Sequence, residues 1–259
     1  MPELPDLEVF SSNLDKELAG RSLEKLEIFT GAKINTAAKE LKKSLEGAAL
    51  NSVYREGKEL RFTFGNGNIL GLHLMLRGKL SWMDEPGKVP KYALMQMLFK
   101  DAKPLVLTDY QANARINLNP ERVDVPDALS TEANFKFWEE QLGSRAMIKN
   151  LLLDQHIVRG IGNAYADEIL WDAGISPFSI SNKIPKEKIK SLAISVKNVL
   201  TEAQKQIREK EPGIIGGEVR DFLKIHNSRK KMSPTGKPIR SDTQRSRKTY
   251  YTDEQQLYK

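Results

Sequence analysis

Cysteine is absent from the 259 residues. That absence excludes disulfides, thiolate metal sites and cysteine nucleophiles together. Histidine is nearly as scarce. His73, His156 and His226 stand far apart, without the short spacing of metal ligands, so neither a bound metal nor another cofactor is expected. No apolar run reaches the roughly 20 residues of a membrane span, so no membrane partner is expected. The opening Met-Pro-Glu-Leu-Pro-Asp-Leu-Glu-Val-Phe has no basic stretch followed by an apolar one. A secretory leader is therefore not expected, and the chain reads as cytoplasmic.

What is present is an uneven charge. Eight basic side chains lie between Arg229 and Lys248: Arg229, Lys230, Lys231, Lys237, Arg240, Arg245, Arg247 and Lys248. Asp242 is the single acid among them, and the remaining 33 basic and 33 acidic side chains cancel. The whole excess of +7 therefore sits in one short stretch. Such a patch suits a polyanion, because each phosphate contact releases condensed counterions. Gly236, Pro238, Thr249, Tyr250 and Tyr251 give the stretch the turn and strand chemistry of a hairpin, where a solvated tail would be featureless.

The chain's length allows one large domain or two modest ones. Residues 5–19 read as a helix, with Pro5 in the first turn, Gly20 after the end, and Leu7, Phe10, Leu14 and Leu18 on one face. From about residue 23 to 118 the pattern is of short strands, over 23–28, to Phe64, from Asn68, over Leu94 to Phe99 and over Leu105 to Thr108. Gly65-Asn66-Gly67 marks a hairpin. Asn119-Pro120 and Val125-Pro126 mark a linker. Beyond it the spacing predicts helices over Phe135–Leu142, Arg145–Leu153, Asn163–Ala173 and Lys186–Lys210. The reading is α+β, with a strand-rich first half, a helical middle and a small hairpin appendix.

Four features bear on chemistry. Pro2 follows Met1, and removal of Met1 exposes a secondary α-amine whose pKa of about 8 leaves much of it unprotonated near neutrality. Such an amine attacks aldehyde-like carbon to give an iminium, with Glu3 beside it to move protons. A proline before a helix explains the same residues without chemistry. Next, Gly160-Ile161-Gly162-Asn163 precedes a helix. It suits either an anion at a helix N-terminus or a tight turn capped by Asn163. Lys58, after Gly57, suits a phosphate contact or a solvent-facing strand end. Met75-Leu76-Arg77 reads either as strand core or as an exposed tip able to wedge into a base stack.

Taken in order, these segments resemble the formamidopyrimidine-DNA glycosylase/endonuclease VIII family. The resemblance rests on Pro2-Glu3-Leu4-Pro5, on Gly57-Lys58, and on Leu152-Leu153-Asp154-Gln155 with Gly160 to Glu168. It continues through Gly216-Gly217, Arg220-Asp221-Phe222, Gly236 to Ile239 and Ser246 to Tyr251. It implies a bifunctional glycosylase and abasic-site lyase acting on damaged DNA, monomeric, and nucleoid-associated in a bacterial host. It also implies a β-sandwich with a leading helix at 1–120 and a linker at 121–133. A helix–two-turns–helix domain follows at 134–224, and a β-hairpin finger at 225–259. By resemblance Pro2 is the Schiff-base nucleophile and Glu3 the proton donor, in a cleft walled by both domains. Lys58, Asn163 and Arg247 bind phosphate, with Gly160 and Gly162 in the turn beneath.

Four departures qualify the resemblance. Met232, Thr235, Thr252 and Gln255 stand about where the family's finger has four cysteines, which implies a zincless finger held by packing alone. Asp6 replaces the glutamate that follows the second proline in the family; it keeps the charge but shortens the reach, which implies slower catalysis at a residue that stands with Pro2, Glu3 and Lys58 among the catalytic candidates. The Arg-Arg-Phe wedge is missing after Asp109, where Tyr110-Gln111-Ala112-Asn113 follows, and Met75-Leu76-Arg77 takes the plugging role. Little chain separates Phe222 from His226, so the loop that covers 8-oxoguanine is absent. The last two departures favour oxidised pyrimidines, ring-opened purines or abasic sites. Competing readings are a non-catalytic binder of damaged or abasic DNA and an RNA- or ribosome-associated helix–turn–helix protein.

Overall fold

The computed structural model describes residues 1–84, 89–244 and 247–259. Arg245 of the basic stretch and Ser246 of the finger motif lie outside the described residues. The chain divides into two compact units, Met1–Val123 with Ile207–Glu218, and Asp124–Gln206 with Val219–Lys259.

The first unit opens with α1 (Leu4–Leu18), whose Leu7, Phe10, Leu14 and Leu18 are all fully buried. Its strands are β1 (Leu23–Ile28), β2 (Lys33–Ile34), β3 (Leu50–Glu56), β4 (Glu59–Phe64), β5 (Ile69–His73), β6 (Lys79–Trp82), β7 (Ala93–Phe99), β8 (Leu105–Thr108) and β9 (Arg115–Leu118). They form a four-stranded sheet in the order β1-β7-β8-β6 and a five-stranded sheet in the order β2-β9-β5-β4-β3. The Gly65–Asn68 turn closes an antiparallel β4–β5 hairpin, with Phe64 N–H donating to the Asn68 carbonyl at 2.9 Å. One apolar core takes in α1, Leu26, Met95 and Leu107 of the first sheet, and Phe62, Leu72 and Ile116 of the second.

The strand-only reading of 23–118 needs correction. Residues Ala38–Leu45 form a helix, α2. Leu41 and Leu45, four apart and fully buried, seat it, and Lys39, Glu40 and Lys43 face outward.

The second unit holds α3 (Phe135–Gln141), α4 (Ile148–Leu153), α5 (Asn163–Asp172) and most of α6 (Lys186–Lys210). The antiparallel hairpin β10 (Arg240–Gln244) and β11 (Arg247–Tyr251) completes it. Helix α4 begins three residues later than its periodicity predicts. Met147 bridges Ile180, and Ser181 N–H donates to the Ala146 carbonyl at 2.9 Å, so the segment before α4 is drawn into extended pairing. Asn163 is the first helical residue, and Gly162 is the cap. The chain after β11 returns to 174–180, where Ile180 N–H donates to the Tyr258 carbonyl at 2.8 Å.

Phe10 is fully buried between α1 and the sheets. Phe10→Ala is expected to cost about 3–5 kcal/mol, read as a lowered urea midpoint at unchanged m-value.

Candidate nucleic-acid interface and chain terminus

The chain terminus is fixed by a reciprocal helix cap. Glu3 N–H donates to Asp6 Oδ2 at 2.8 Å, and the Glu3 carboxylate receives the Asp6 N–H. Both side chains are buried, Glu3 at 4% exposure and Asp6 at 1%. The shorter arm of Asp6 therefore has a use in holding the backbone on which Pro2 and Glu3 sit. The Met1 ammonium pairs with Glu218. With Met1 attached, the Pro2 nitrogen is an amide and has no free electron pair to attack carbon.

A cationic group forms at one end of the five-stranded sheet. Gly57 (φ 59) and Lys58 make the turn between β3 and β4. Arg55 braces it, donating from Nε to Glu8 of α1 at 2.8 Å and from a terminal nitrogen to the Gly57 carbonyl at 3.1 Å. Along the same strands Leu60 pairs with Leu72, and His73 pairs with Arg115. Burial, then the charges of Lys58 and Arg115, push the His73 pKa down to about 4. Its Nδ1 accepts the Met75 N–H at 3.1 Å, which leaves the neutral ring's proton on Nε2. A neutral donor between two cations is suited to an oxyanion. Sequence reasoning missed His73, since nothing in the chain marks its pairing with residues 15 positions before it or 42 after it.

The segment after His73 is an exposed tip, not strand core. Leu74 is buried, Met75 takes φ 53, and Leu76 is 60% exposed. Gly78 closes the tip by donating to the Leu74 carbonyl at 2.8 Å. A Cβ on Gly78 would lie 2.3 Å from that oxygen, so no other residue fits.

In the second unit, Gln155 staples the turn between α4 and α5. Its amide nitrogen donates to the Leu153 and Ile161 carbonyls at 3.1 and 2.9 Å, and its oxygen accepts from Gly160 N–H at 3.0 Å. Gly160 sits at φ 100, a conformation open to glycine alone at little cost. The structure brings Asn163 to the finger: its Nδ2 donates to the Lys248 carbonyl at 2.8 Å, one residue from Arg247. Arg247 also lines a groove of about 940 Å³ with Arg145, Asn150, Asp154 and His156.

Beneath β11 lies a buried ionic network. Lys149 Nζ is 2.6 Å from Asp167 Oδ1 and donates to Thr249 Oγ1 at 2.8 Å. The other Asp167 oxygen accepts Tyr250 N–H at 2.9 Å and meets His226 Nδ1 at 2.7 Å. The network holds the strand that carries Arg247 against α4 and α5.

The finger base is held by more than packing, which corrects that expectation. Ser233 Oγ lies 2.7 Å from Thr235 Oγ1 and donates to Glu254 at 3.3 Å, and Thr252 Oγ1 donates to the same carboxylate at 3.0 Å. Hydrogen bonds from Thr235, then Thr252, Trp171 and Ser233, hold the Glu254 carboxyl below its usual range. Thr252 N–H donates to Gln255 Oε1, and Gln255 Nε2 to the Ile175 carbonyl, each at 2.8 Å. Buried polar groups need such partners, and Met232, half exposed, is outside the network.

The His73 ring should titrate near pH 4 by NMR. The unfolded chain binds that proton near 6.5, so stability is fully present above about 6.5 and declines as pH falls towards 4. Lys149→Met leaves Asp167 buried without its cation and should cost about 3–5 kcal/mol, measured by denaturant unfolding.

Comparison with known proteins agrees with this architecture. Residues 1–116 match the formamidopyrimidine-DNA glycosylase N-terminal domain, and residues 125–211 the formamidopyrimidine-DNA glycosylase H2TH domain. A formamidopyrimidine-DNA glycosylase of Lactobacillus gasseri is 30% identical over 216 residues, covering 80% of this chain and 78% of its own. That of Lactococcus lactis subsp. lactis is 28% identical over 240 residues, covering 87% and 88%. Among solved structures, the LlFpg protein in complex with a THF-DNA and an inhibitor superposes with a TM-score of 0.86 at 27% identity, covering 98% of this chain and 100% of that one. The Lactococcus lactis Fpg with abasic-site DNA superposes with a TM-score of 0.84 at 26% identity, covering 97% and 98%.

Proposed function

Because the chain belongs to the formamidopyrimidine-DNA glycosylase family, we propose that it removes oxidised bases from DNA and then cleaves the abasic site through a Schiff base at Pro2. The observation that carries this reading is the Glu3–Asp6 cap, which fixes the chain terminus in the unit that also holds Lys58, His73 and Arg115.

Removal of Met1 frees the Pro2 nitrogen as a secondary amine. Its lone pair bonds to C1′ of the damaged nucleotide, the base departs with the electrons of the glycosidic bond, and the proton shed by the Pro2 nitrogen passes to the departing base. Glu3 gives a proton to the sugar ring oxygen, which opens the ring and leaves an iminium on Pro2. The iminium acidifies the C2′ proton, and elimination expels the 3′ phosphate. Asp6 acts as a positioning residue by holding the Glu3 backbone. Lys58, Asn163 and Arg247 grip phosphates, with Gly160 and Gly162 allowing close backbone approach, and Met75, Leu76 and Arg77 enter the stack where the nucleotide has left.

The finger works without zinc, held by the Ser233–Glu254–Thr252 network. The absent wedge and short 222–226 connection favour oxidised pyrimidines, ring-opened purines or abasic sites. The functional parts run over 1–120, 121–133, 134–224 and 225–259, in a cytoplasmic monomer whose partner is damaged DNA.

Borohydride trapping on an abasic-site duplex tests the nucleophile. Processed protein should form a covalent adduct mapping to Pro2, and protein retaining Met1 should form none. Tight, salt-sensitive binding without any adduct or incision from processed protein would establish the non-catalytic binder instead. Glu3→Gln should slow base release by about 10²–10⁴-fold. Arg247→Ala should flatten the slope of log K against log[salt] by about 1.

A further inference from the structure

The chain from Ile207 to Glu218 belongs to the first unit, although most of α6 before it does not. Glu211 N–H donates to the Ile207 carbonyl at 2.9 Å and Ile214 N–H to the Glu211 carbonyl at 3.1 Å, which ends the helix in a tight turn. The segment after it is fixed from several sides. Asn13 of α1 donates from Nδ2 to the Ile214 carbonyl at 2.8 Å. Ile215, 6% exposed, enters the core of the first unit. Gly216 lies against β6, where a Cβ would stand 2.2 Å from the Leu80 carbonyl oxygen, so a side chain has no room. Gly217 takes φ 100, and just beyond it Glu218 meets the Met1 ammonium, 217 residues away in sequence.

This ion pair marks where a negative charge stands when the amine is used. Removal of Met1 moves the α-amine back by one residue, a step of roughly 3 Å from standard bond lengths. The Glu218 carboxylate ends a flexible side chain that is 34% exposed, so it can follow that short step. The neighbouring carboxylates of α1 have other duties. Glu3 and Asp6 are bound in the cap, and Glu8 pairs with Arg55.

We propose that Glu218 is the counter-ion of the Pro2 nitrogen, holding a negative charge against the cation that forms there during the reaction. The assignment rests on the Schiff-base reading above and names a further catalytic residue for it. Glu218 makes and breaks no bond. The electron pair on the Pro2 nitrogen becomes the second bond of the iminium as the sugar ring opens, and the nitrogen then carries a positive charge that it cannot lose by giving up a proton. A carboxylate within ion-pair reach lowers the energy of that cation. Its effect on rate depends on the state of the nitrogen beforehand. Where the resting amine is an ammonium, start and intermediate are both cations, and the carboxylate favours neither. Where the resting amine is neutral, only the intermediate is charged, and the whole attraction goes into the reaction.

The test measures Schiff-base formation in a single turnover, by borohydride quench, with processed protein saturating an abasic-site duplex. An α-amine titrates around pH 8, so rates are compared at about pH 6 and about pH 9. Glu218→Gln should be about tenfold slower than wild type at the higher pH and within about twofold of it at the lower. Glu218→Asp should regain most of the lost rate at the higher pH. A deficit of equal size at both pH values would make Glu218 a structural contact and overturn the counter-ion. A deficit confined to the lower pH, or none at either, would overturn it as well and leave the Schiff-base reading standing. A wild type that forms no adduct at either pH would overturn the Schiff-base reading itself.

Discussion

The buried exchange of hydrogen bonds between Glu3 and Asp6 is the constraint on which the proposed chemistry depends. A chain terminus is ordinarily the least ordered part of a domain. Here two carboxylates close the first turn of α1, and the helix is pinned in turn by Phe10, Leu14 and Leu18 in the core. An α-amine is useful as a nucleophile only if it is held still, because misplacement by about 1 Å is costly to a reaction that relies on orientation. Asp6 meets that need with a side chain one methylene shorter than glutamate.

The same economy appears in the second unit. Asp167 places four partners around one carboxylate, Lys149, His226 and the Tyr250 N–H directly and Thr249 through Lys149. Such a group is expensive to bury unless every oxygen is met. Once met, it sets the strand that carries Arg247 and Lys248 in one register. The Asn163 amide closes on the Lys248 carbonyl, so the helix start and the finger strand are joined by a hydrogen bond as well as by sequence logic. At the finger base, hydroxyls, a carboxylate and a glutamine amide tie the hairpin root to the residues after α5. The stabilisation is spread over several modest bonds, each of about 1 kcal/mol.

Five described residues other than glycine lie at positive φ, all in the first unit: Met75, Tyr92, Asp101, Ala112 and Asn119. Met75, Tyr92 and Ala112 sit in three of its connecting loops. Backbone of that kind persists only when its neighbours over-determine it. Asp109 does this for two of the three loops, and His73 for the third.

The sequence by itself determined the strong periodicities and the order of the parts. Leu7, Phe10, Leu14 and Leu18 announced α1, the Gly65–Asn68 turn announced a hairpin, and the apolar stripe of 186–210 announced α6 to the residue. These are local signals, carried by neighbours within a turn or two. Helix α2 was hidden because eight residues with two leucines give too short a pattern to stand out from strands. The late start of α4 was hidden because Met147 answers to Ile180, not to its own neighbours. Only the tertiary structure decided that His73 sits beside Lys58 and Arg115 and that Tyr92 meets Tyr110. Each of those depends on desolvation and on partners brought together by folding, and no spacing along a chain encodes the dielectric around a side chain.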